Sequence, residues 1–565
     1  MKTVGADAAG KESMAQIYEE YYREVTAPDG TVTDIVTSYP DNFNFAYDVL
    51  DRFAAECPDG IALVHRSTLG TVRKFTFDCM KRLSDKAANA LMSLGIGRGM
   101  PVFLLLKRRF EFWISILALH KIGAVAVPTS HMVSAEEIAE RTRTAGAKAV
   151  ICVDSEGICE KVEEALCGTD IIPLVVGQQY GTFRNLSSLI EEASDVWERR
   201  ATRASDPMLY YFTSGTNGAP KAVIHDFTYP IAHIYTARRW HGVREGGLHL
   251  AVADTGWAKT AWGKLYGQWF LGGAIMVFDY DRFYAGEMLK LLEEQKVSTF
   301  CAPPTIYKYF VLEDLGKYDL SHLQYAATAG EPMPQEVAKK FLEATGVPVR
   351  DGFGQTETVL LICTPVGETA PAGSLGKASP QYRLMLLDED GNPVADGEEG
   401  EIAVVPKDGR KPVGILSGYL GDPALYEEVW RGGVYHTGDR ARQDADGYFY
   451  YIGRTDDVIK SSGYRIGPSE VEDLLMRSPA VKECAVTGYP SETRGTVVKA
   501  SVVLKDGYTG SPALKRELQD IVKRYGAIYK YPRIIEWVDD LPRTASGKVS
   551  RAKIRERDAK ASYAE

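Results

Sequence analysis

Between Pro101 and Asp154 the chain changes its hydrophobic period repeatedly. PVFLLLK (Pro101–Lys107) reads as a buried strand, FEFWISILALHKIG (Phe110–Gly123) as a helix and AVAVP (Ala124–Pro128) as the next strand. AEEIAERTRTAGA (Ala135–Ala147) follows as a second helix and KAVICVD (Lys148–Asp154) as a third strand. Strands separated by helix-length crossovers pair in parallel, so this segment predicts an α/β fold with a mainly parallel sheet covered by helices. GIGRG (Gly95–Gly99) follows a helical pattern and precedes a strand, the reverse of what a dinucleotide loop requires.

A chain of 565 residues exceeds what one compact core supports, so at least two domains are expected. The texture changes after Gly453. SEVEDLLMR (Ser469–Arg477) predicts a short helix, CAVTGYP (Cys484–Pro490) and KASVVLKDG (Lys499–Gly507) strands. PALKRELQDIVKRYG (Pro512–Gly526) predicts a helix and RIIEWVDDLP (Arg533–Pro542) a closing strand. That pattern describes a small α+β domain over 454–565, with a larger domain over 1–453 and the boundary at GRTDDVIK. The small part carries 21 Lys/Arg against 16 Asp/Glu, a net of +5, on a chain whose total is −10. An acidic whole excludes a nucleic-acid binder, whereas a basic lobe suits a phosphate-bearing partner.

The opening residues carry early acids and no apolar core, so neither a signal peptide nor an anchor is expected there. The apolar run Phe112–Val127 is cut by His120 and Lys121 and is too short to span a bilayer. Eight cysteines without a C-x-x-C pair predict scattered reduced thiols. The expectation is a cytoplasmic protein with no integral membrane segment.

The chemistry concentrates in YYFTSGTNGAPKAVIHD (Tyr210–Asp226). An apolar run ends in Thr213, Ser214, Gly215, Thr216, Asn217 and Gly218, followed by Pro220 and Lys221. Hydroxyls, exposed backbone N–H groups and one lysine suit a polyphosphate. It is not a Walker loop, because Pro220 stands where the second glycine belongs and Ala222 where the metal-binding hydroxyl belongs. There is no G-x-S-x-G elbow, and the nine histidines are dispersed. Five further motifs follow in order: Ala329-Gly330-Glu331-Pro332, DGFGQTET (Asp351–Thr358), YHTGD (Tyr435–Asp439), GRTDDVIKSSGYRIGPSEVE (Gly453–Glu472) and PRTASGKVSR (Pro542–Arg551).

Six motifs in this order resemble the superfamily of adenylate-forming enzymes, and DTGWAKTAWG (Asp254–Gly263), GFGQTETVL and SSGYRIGP look most like medium-chain acyl-CoA synthetases. The resemblance is dense over the last two-thirds of the chain. It implies a large multi-sheet αβ domain of the adenylate-forming type with a small mobile C-terminal α+β domain. It also implies a ligase that makes acyl-AMP and pyrophosphate from ATP and a carboxylic acid, then acyl-CoA and AMP. ATP, Mg²⁺ and coenzyme A are the implied cofactors, a medium-chain or branched fatty acid the favoured substrate, and a homodimer the assembly left open. The alternatives are an aryl-acid CoA ligase, or a stand-alone adenylation enzyme loading a carrier protein. A non-catalytic acyl-binding relative would have lost Lys548, Glu357 or the phosphate loop, and all three are present.

The resemblance also assigns roles. The loop Thr213–Lys221 would hold the β- and γ-phosphates, Thr356 would donate to the α-phosphate, and Glu357 would hold Mg²⁺. Gly330, Glu331 and Pro332 would wall the adenine and Phe353 would stack on it, within the segment Asp351, Gly352, Phe353, Gly354 and Gln355. Asp439 would accept the ribose hydroxyls with Arg454 beside it. Lys548 would bridge the carboxylate and the α-phosphate. The C-terminal domain would then swing about Asp456, bringing Ser462, Gly463, Tyr464 and Arg465 to the site for thiol attack. Arg494, Lys523 and Lys107 would meet the CoA phosphates. Trp257, Ala258, Lys259, Trp262, Gly263, Cys301 and Gly330 would border the acyl pocket. Lys259 is unusual there, since a buried ammonium is unfavourable unless paired, and it points to an acid outside the plain straight-chain class.

Overall fold

The computed structural model describes residues 14–561 apart from 156, 215–219, 332, 456, 458, 462–463, 492–494, 526–527 and 545–547. The predicted alternation is present: strands Pro101–Leu105, Val125–Pro128 and Ala149–Val153 are separated by helices Glu111–Ile122 and Ala135–Ala145. The second helix begins at a capping box, in which the Ser134 hydroxyl accepts from the Glu137 N–H and the Glu137 carboxylate accepts from the Ser134 N–H. It ends at Gly146, whose φ of 63° only glycine adopts readily. Helix Glu111–Ile122 is buried all round, and its Lys121 is neutralised by Asp51 and Asp85. This explains its apolar run without a bilayer, and among the described residues no helix is long and apolar enough to cross a membrane.

Two large sheets carry the body. In the eight-stranded sheet the three strands above pair in parallel, flanked on one side by Ile172–Val176 and on the other by Pro207–Ser214. The hairpin partner Pro220–Asp226 and the short Gly418–Tyr419 extend that second edge. In the nine-stranded sheet Ile61–Arg66, Ala274–Phe278, Leu248–Ala251, Thr299–Cys301, Tyr325–Ala329 and Val349–Gly354 are parallel. One continuous apolar core joins residues of both sheets, including Trp113, Trp240, Trp262 and Trp269. A four-stranded antiparallel sheet, Arg383–Leu387, Glu399–Val405, Tyr435–Gln443 and Phe449–Arg454, completes the large N-terminal αβ domain.

The smaller C-terminal domain mixes helices Pro468–Leu475, Pro512–Tyr525 and Arg551–Asp558 with a three-stranded sheet. That sheet pairs Val481–Ser491 with Gly495–Leu504 and the latter in parallel with Ile534–Trp537. It encloses a core of its own, with Val471, Leu475, Val486, Val502 and Leu518. The last strand is shorter than its sequence suggests: it stops at Trp537, and the chain then leads to Asp539, Asp540 and Pro542, which do not extend a ladder.

Candidate active site

Parallel strands deliver their C-terminal ends, and the loops beyond them, to one side of a sheet, where ligands bind in open α/β folds. Tyr325–Ala329 and Val349–Gly354 run side by side, with Ala329 opposite Gly352, so Gly330–Glu331 and Gly354–Thr358 leave the sheet together. Strand Pro207–Ser214 turns back through Pro220–Asp226, pairing Thr213 with Lys221 and Ser214 with Pro220. Gly215, Thr216, Asn217 and Gly218 of that turn, and Pro332, lie outside the described residues. His225 joins the hairpin to the DGFGQTET segment: its Nε2 lies 2.7 Å from the Thr356 carbonyl oxygen. A carbonyl only accepts, so Nε2 carries the hydrogen, and burial keeps the ring neutral by lowering its pKa to about 4.

Gln355 does not face open space. Its Nε2 donates to the Thr437 carbonyl at 2.7 Å and to Asp439 Oδ2, while its Oε1 accepts from the Tyr435 hydroxyl at 2.9 Å. Asp439 is 4% exposed; its Oδ1 accepts from Tyr451 at 2.8 Å and its Oδ2 from Arg454 at 3.4 Å, across a pair of facing strand residues. The carboxylate is thereby fixed in orientation from both sides. Phe353 meets the Tyr451 ring at 5.9 Å between centroids.

Three titratable groups lie in this region, each partly reachable from solvent yet deep among protein atoms. Burial raises the pKa of Glu357, whose Oε1 accepts from the Tyr419 hydroxyl at 3.2 Å. Burial pushes Asp351 up to about 7, against N–H donors from Gly352 and Met333. Burial lowers the pKa of Lys259, whose ammonium donates to the Ala329 carbonyl at 2.5 Å. Two ammoniums meet beside Gly330, whose φ of +99° suits glycine: a β-carbon there would lie 3.6 Å from Lys548 Nζ and 3.9 Å from Lys259 Nζ. The C-terminal domain therefore presents Lys548 to the large domain in this structure.

Beyond Lys259, helix Lys259–Gly263 packs Trp262 onto Gly354, where a β-carbon would come within 2.5 Å of the indole. Trp240 covers Gly352 in the same way at 2.6 Å, and the two indoles meet edge to face, 6.5 Å between centroids. Gly263 backs onto His249 and His241, and Trp257 is part-exposed at the mouth of the same loop, next to Ala258. Cys301, buried at the end of its strand, is a thiol pushed up to about 11 by burial.

Of the residues assigned to CoA, only Lys523 and Lys107 have described side chains. Ser462, Gly463 and Arg494, like the pivot Asp456, lie outside the described residues; the backbones of Tyr464 and Arg465 form a short strand with Ile466. Lys523 pairs with Asp520 one helical turn away and lies over the Tyr531 ring. Lys107 is 3% exposed and paired with Asp281 at 2.9 Å. Sequence reasoning passed over Tyr419, Tyr451 and the pair His131–Asp254, whose Nδ1 and Oδ2 lie 3.1 Å apart. Tyr451 falls just before the motif at Gly453, Tyr419 lies in no quoted motif, and His131 lies 123 positions from Asp254, so only folding brings that pair together.

This arrangement, with an anchored carboxylate, a hydroxyl-bearing hairpin and two ammoniums, one from each domain, beside Gly330, has relatives. Residues 50–420 match the AMP-binding enzyme family and residues 470–548 its C-terminal domain. Human acyl-coenzyme A synthetase ACSM5, mitochondrial, is 38% identical over 92% of this chain and 91% of its own length. Mouse acyl-coenzyme A synthetase ACSM3, mitochondrial, is 34% identical over 93% and 92%. Among solved structures, the anthranilate CoA ligase AuaEII in complex with anthranoyl-AMP superposes with a TM-score of 0.83 at 30% identity, over 92% of this chain and 98% of its own. A benzoate CoA ligase from Burkholderia xenovorans LB400 gives 0.78 at 25% identity, over 91% and 100%. The chain belongs to the AMP-binding enzyme family. Within that family it is an acyl-CoA synthetase, a ligase that joins a carboxylic acid to CoA by way of the acyl adenylate.

Proposed function

We propose that the substrate is a medium-chain or branched acid and that the residues above divide the work as follows. The observation that carries the reading is the convergence of the Lys548 and Lys259 ammoniums beside Gly330. Two anions, a carboxylate and a triphosphate, must meet for adenylation, and fixed cations at their junction offset the repulsion. A carboxylate oxygen attacks the α-phosphorus, the bond to the β-phosphate oxygen breaks, and pyrophosphate leaves. Lys548 spans the two reactants while Lys259 faces the carboxylate. Thr213, Ser214, Lys221 and the turn between them hold the β- and γ-phosphates, Thr356 meets the α-phosphate, and Gly330–Pro332 with Phe353 enclose the base. Asp439, oriented by Gln355 and Tyr451, takes the ribose hydroxyls with Arg454. Glu357 fits a hard divalent cation: its carboxylate is enclosed, which disfavours the bare anion, and its oxygens suit Mg²⁺. When bound, Mg²⁺ supplies charge neutralisation to the leaving phosphates.

The domains divide at 453/454, and rotation about Asp456 withdraws Lys548 and brings Ser462–Arg465 to the acyl-adenylate. CoA sulfur then bonds to the acyl carbon, the carbon–oxygen bond to AMP breaks with its electron pair going to AMP, and the thiol proton passes to solvent. Arg494, Lys523 and Lys107 accompany the CoA phosphates; Lys107 and Lys523 first release Asp281 and Asp520. The cytoplasm is the proposed compartment and a homodimer the proposed assembly.

A second reading, an aromatic acid, is favoured by the Trp240–Trp262 pair at the pocket's end and by the likeness to ligases of anthranilate and benzoate. Pyrophosphate release across C2–C12, branched and aromatic acids, with and without CoA, separates the two. A medium-chain or branched optimum supports the first reading, and an aromatic optimum replaces it. Equal release without thioester formation points instead to a carrier protein as acceptor.

A further inference from the structure

Lys548 stands near the end of a loop that is tied at its base. Arg543 bridges Val549, the Thr544 N–H donates to the Lys548 carbonyl at 2.8 Å, and the Ser550 N–H donates to the Pro542 carbonyl at 2.7 Å. The next residue, Arg551, begins helix Arg551–Asp558, whose first turn is capped by the Ser550 hydroxyl. From there Arg551 donates through Nη2 to both oxygens of Glu472, at 2.8 and 2.7 Å, and its Nη1 lies 3.6 Å from Asp457. Arg555, one turn on, donates to the other oxygen of Asp457 at 2.6 Å. Glu472 is itself held, since its Oε1 accepts the Val486 N–H at 2.7 Å.

Asp457 is one residue past Asp456. Two guanidiniums from the helix that follows Lys548 therefore grip the segment next to the pivot. The Arg551 charge also reaches the Tyr451 phenol of the large domain, whose hydroxyl orients Asp439. A lysine stem has four rotatable carbons, so the reach of its ammonium is defined only if its backbone is. Charge-assisted pairs of this geometry fix direction as well as distance.

We propose that Arg551 is a positioning residue for adenylation: with Arg555 and Asp457 it couples the Lys548 loop to the hinge, so that loop and pivot turn as one rigid piece. The proposal rests on the bridging role of Lys548 and the pivot at Asp456. It assigns Arg551 no contact with substrate.

The test measures both half-reactions, acid-dependent pyrophosphate exchange and thioester formation from supplied acyl-adenylate, on Arg551→Met, Arg551→Lys, Arg555→Ala, Lys548→Ala and the double variant Arg551→Met/Lys548→Ala. Misplacing a reacting group by ~1 Å lowers rate on the order of 10²-fold, so Arg551→Met should lower the exchange kcat by about that factor with KM for ATP unchanged. Arg551→Lys, which keeps the charge but loses the fork, should lose roughly tenfold. Arg555→Ala, the variant least disruptive to folding, should lose a few-fold. Thioester formation should hold in all of them, and the double variant should be no slower in exchange than Lys548→Ala, because coupled groups are non-additive. Full exchange activity in Arg551→Met beside a dead Lys548→Ala overturns the positioning role alone. Full exchange activity in Lys548→Ala overturns the reading beneath it. Equal loss of both half-reactions in Arg551→Met, with a lowered unfolding midpoint, reduces Arg551 to a structural residue.

Discussion

The His225 ring lies 2.7 Å from the Thr356 carbonyl oxygen and donates to it through Nε2, joining the phosphate hairpin to the segment proposed to meet the α-phosphate and metal. Replacing His225 with Phe keeps a flat ring and removes the donor, leaving a carbonyl without its partner. Pyrophosphate exchange should fall roughly tenfold, on the order of the 1–2 kcal/mol that such a donor contributes. Because the ring is already neutral, the activity profile should show no inflection from His225 between pH 5 and 9.

The same neutrality predicts acid sensitivity of the fold. Burial lowers the pKa of His225 and His65 to about 4, and of His120 and His249 to about 3. These bases bind protons more readily unfolded, so stability is full above the unfolded pKa near 6.5 and falls as pH drops through the window down to 4 or 3. Each ring should remove about 2 kcal/mol at pH 5. Urea midpoints at pH 7 and pH 5 measure the loss, and His120→Gln should diminish the difference by one ring's share.

Lys548→Ala should lower adenylation on the order of 10²–10³-fold while sparing thioester formation from supplied acyl-adenylate. Pyrophosphate exchange beside acyl-CoA production reads the split. Equal loss in both reactions would rule out the bridging role.

The motif order was legible because each motif is contiguous: Thr213–Lys221 or Asp351–Thr358 carries its chemistry within a few residues. The strands of 101–153 were legible because burial on both faces writes an unbroken apolar run. Partnerships across the chain were not. Nothing in the sequence pairs Lys107 with Asp281 or Asp439 with Gln355, because a side chain's reach depends on strands brought together by the whole fold. Lys523 stands where the resemblance placed a CoA cation, yet Asp520 is one turn before it and already holds it. The doubt about Lys259 was legible from its type alone; that its ammonium faces Lys548 was not.

Trp262 packs against Gly354 at the proposed wall of the acyl pocket, so both positions should bear on turnover of the acid. Trp262→Ala should open space beyond the indole and move the preferred acid to longer or bulkier chains, read as a shift in kcat/KM across the acid series. Gly354→Ala would set a β-carbon 2.3 Å from the Val359 carbonyl oxygen and 2.5 Å from the indole, so backbone and ring must both shift and turnover of every acid should fall. Unchanged selectivity in Trp262→Ala would place the acyl chain elsewhere.

Lys259 offers the sharpest conflict between stability and function. Burial lowers its pKa, and the neighbouring Lys548 ammonium acts in the same direction, with Cys301 opposing. A lysine whose folded pKa is depressed binds its proton more readily in the unfolded chain, so below its unfolded pKa near 10.5 it disfavours folding. Lys259→Met removes that ammonium and keeps the stem's volume, so the variant should be more stable at pH 7, seen as a higher urea midpoint. The same change deletes the cation proposed to face the incoming carboxylate, so KM for the acid should rise at least tenfold while KM for ATP stays within twofold. Wild-type KM for the acid should also climb with pH as the ammonium loses its proton, earlier than a solvated lysine would, and this dependence should vanish in the variant. Urea midpoints and initial rates between pH 6 and 10 decide it. A variant that is destabilised, or one whose acid KM keeps the wild-type pH dependence, would remove Lys259 from the carboxylate site and return it to the wall of the fold.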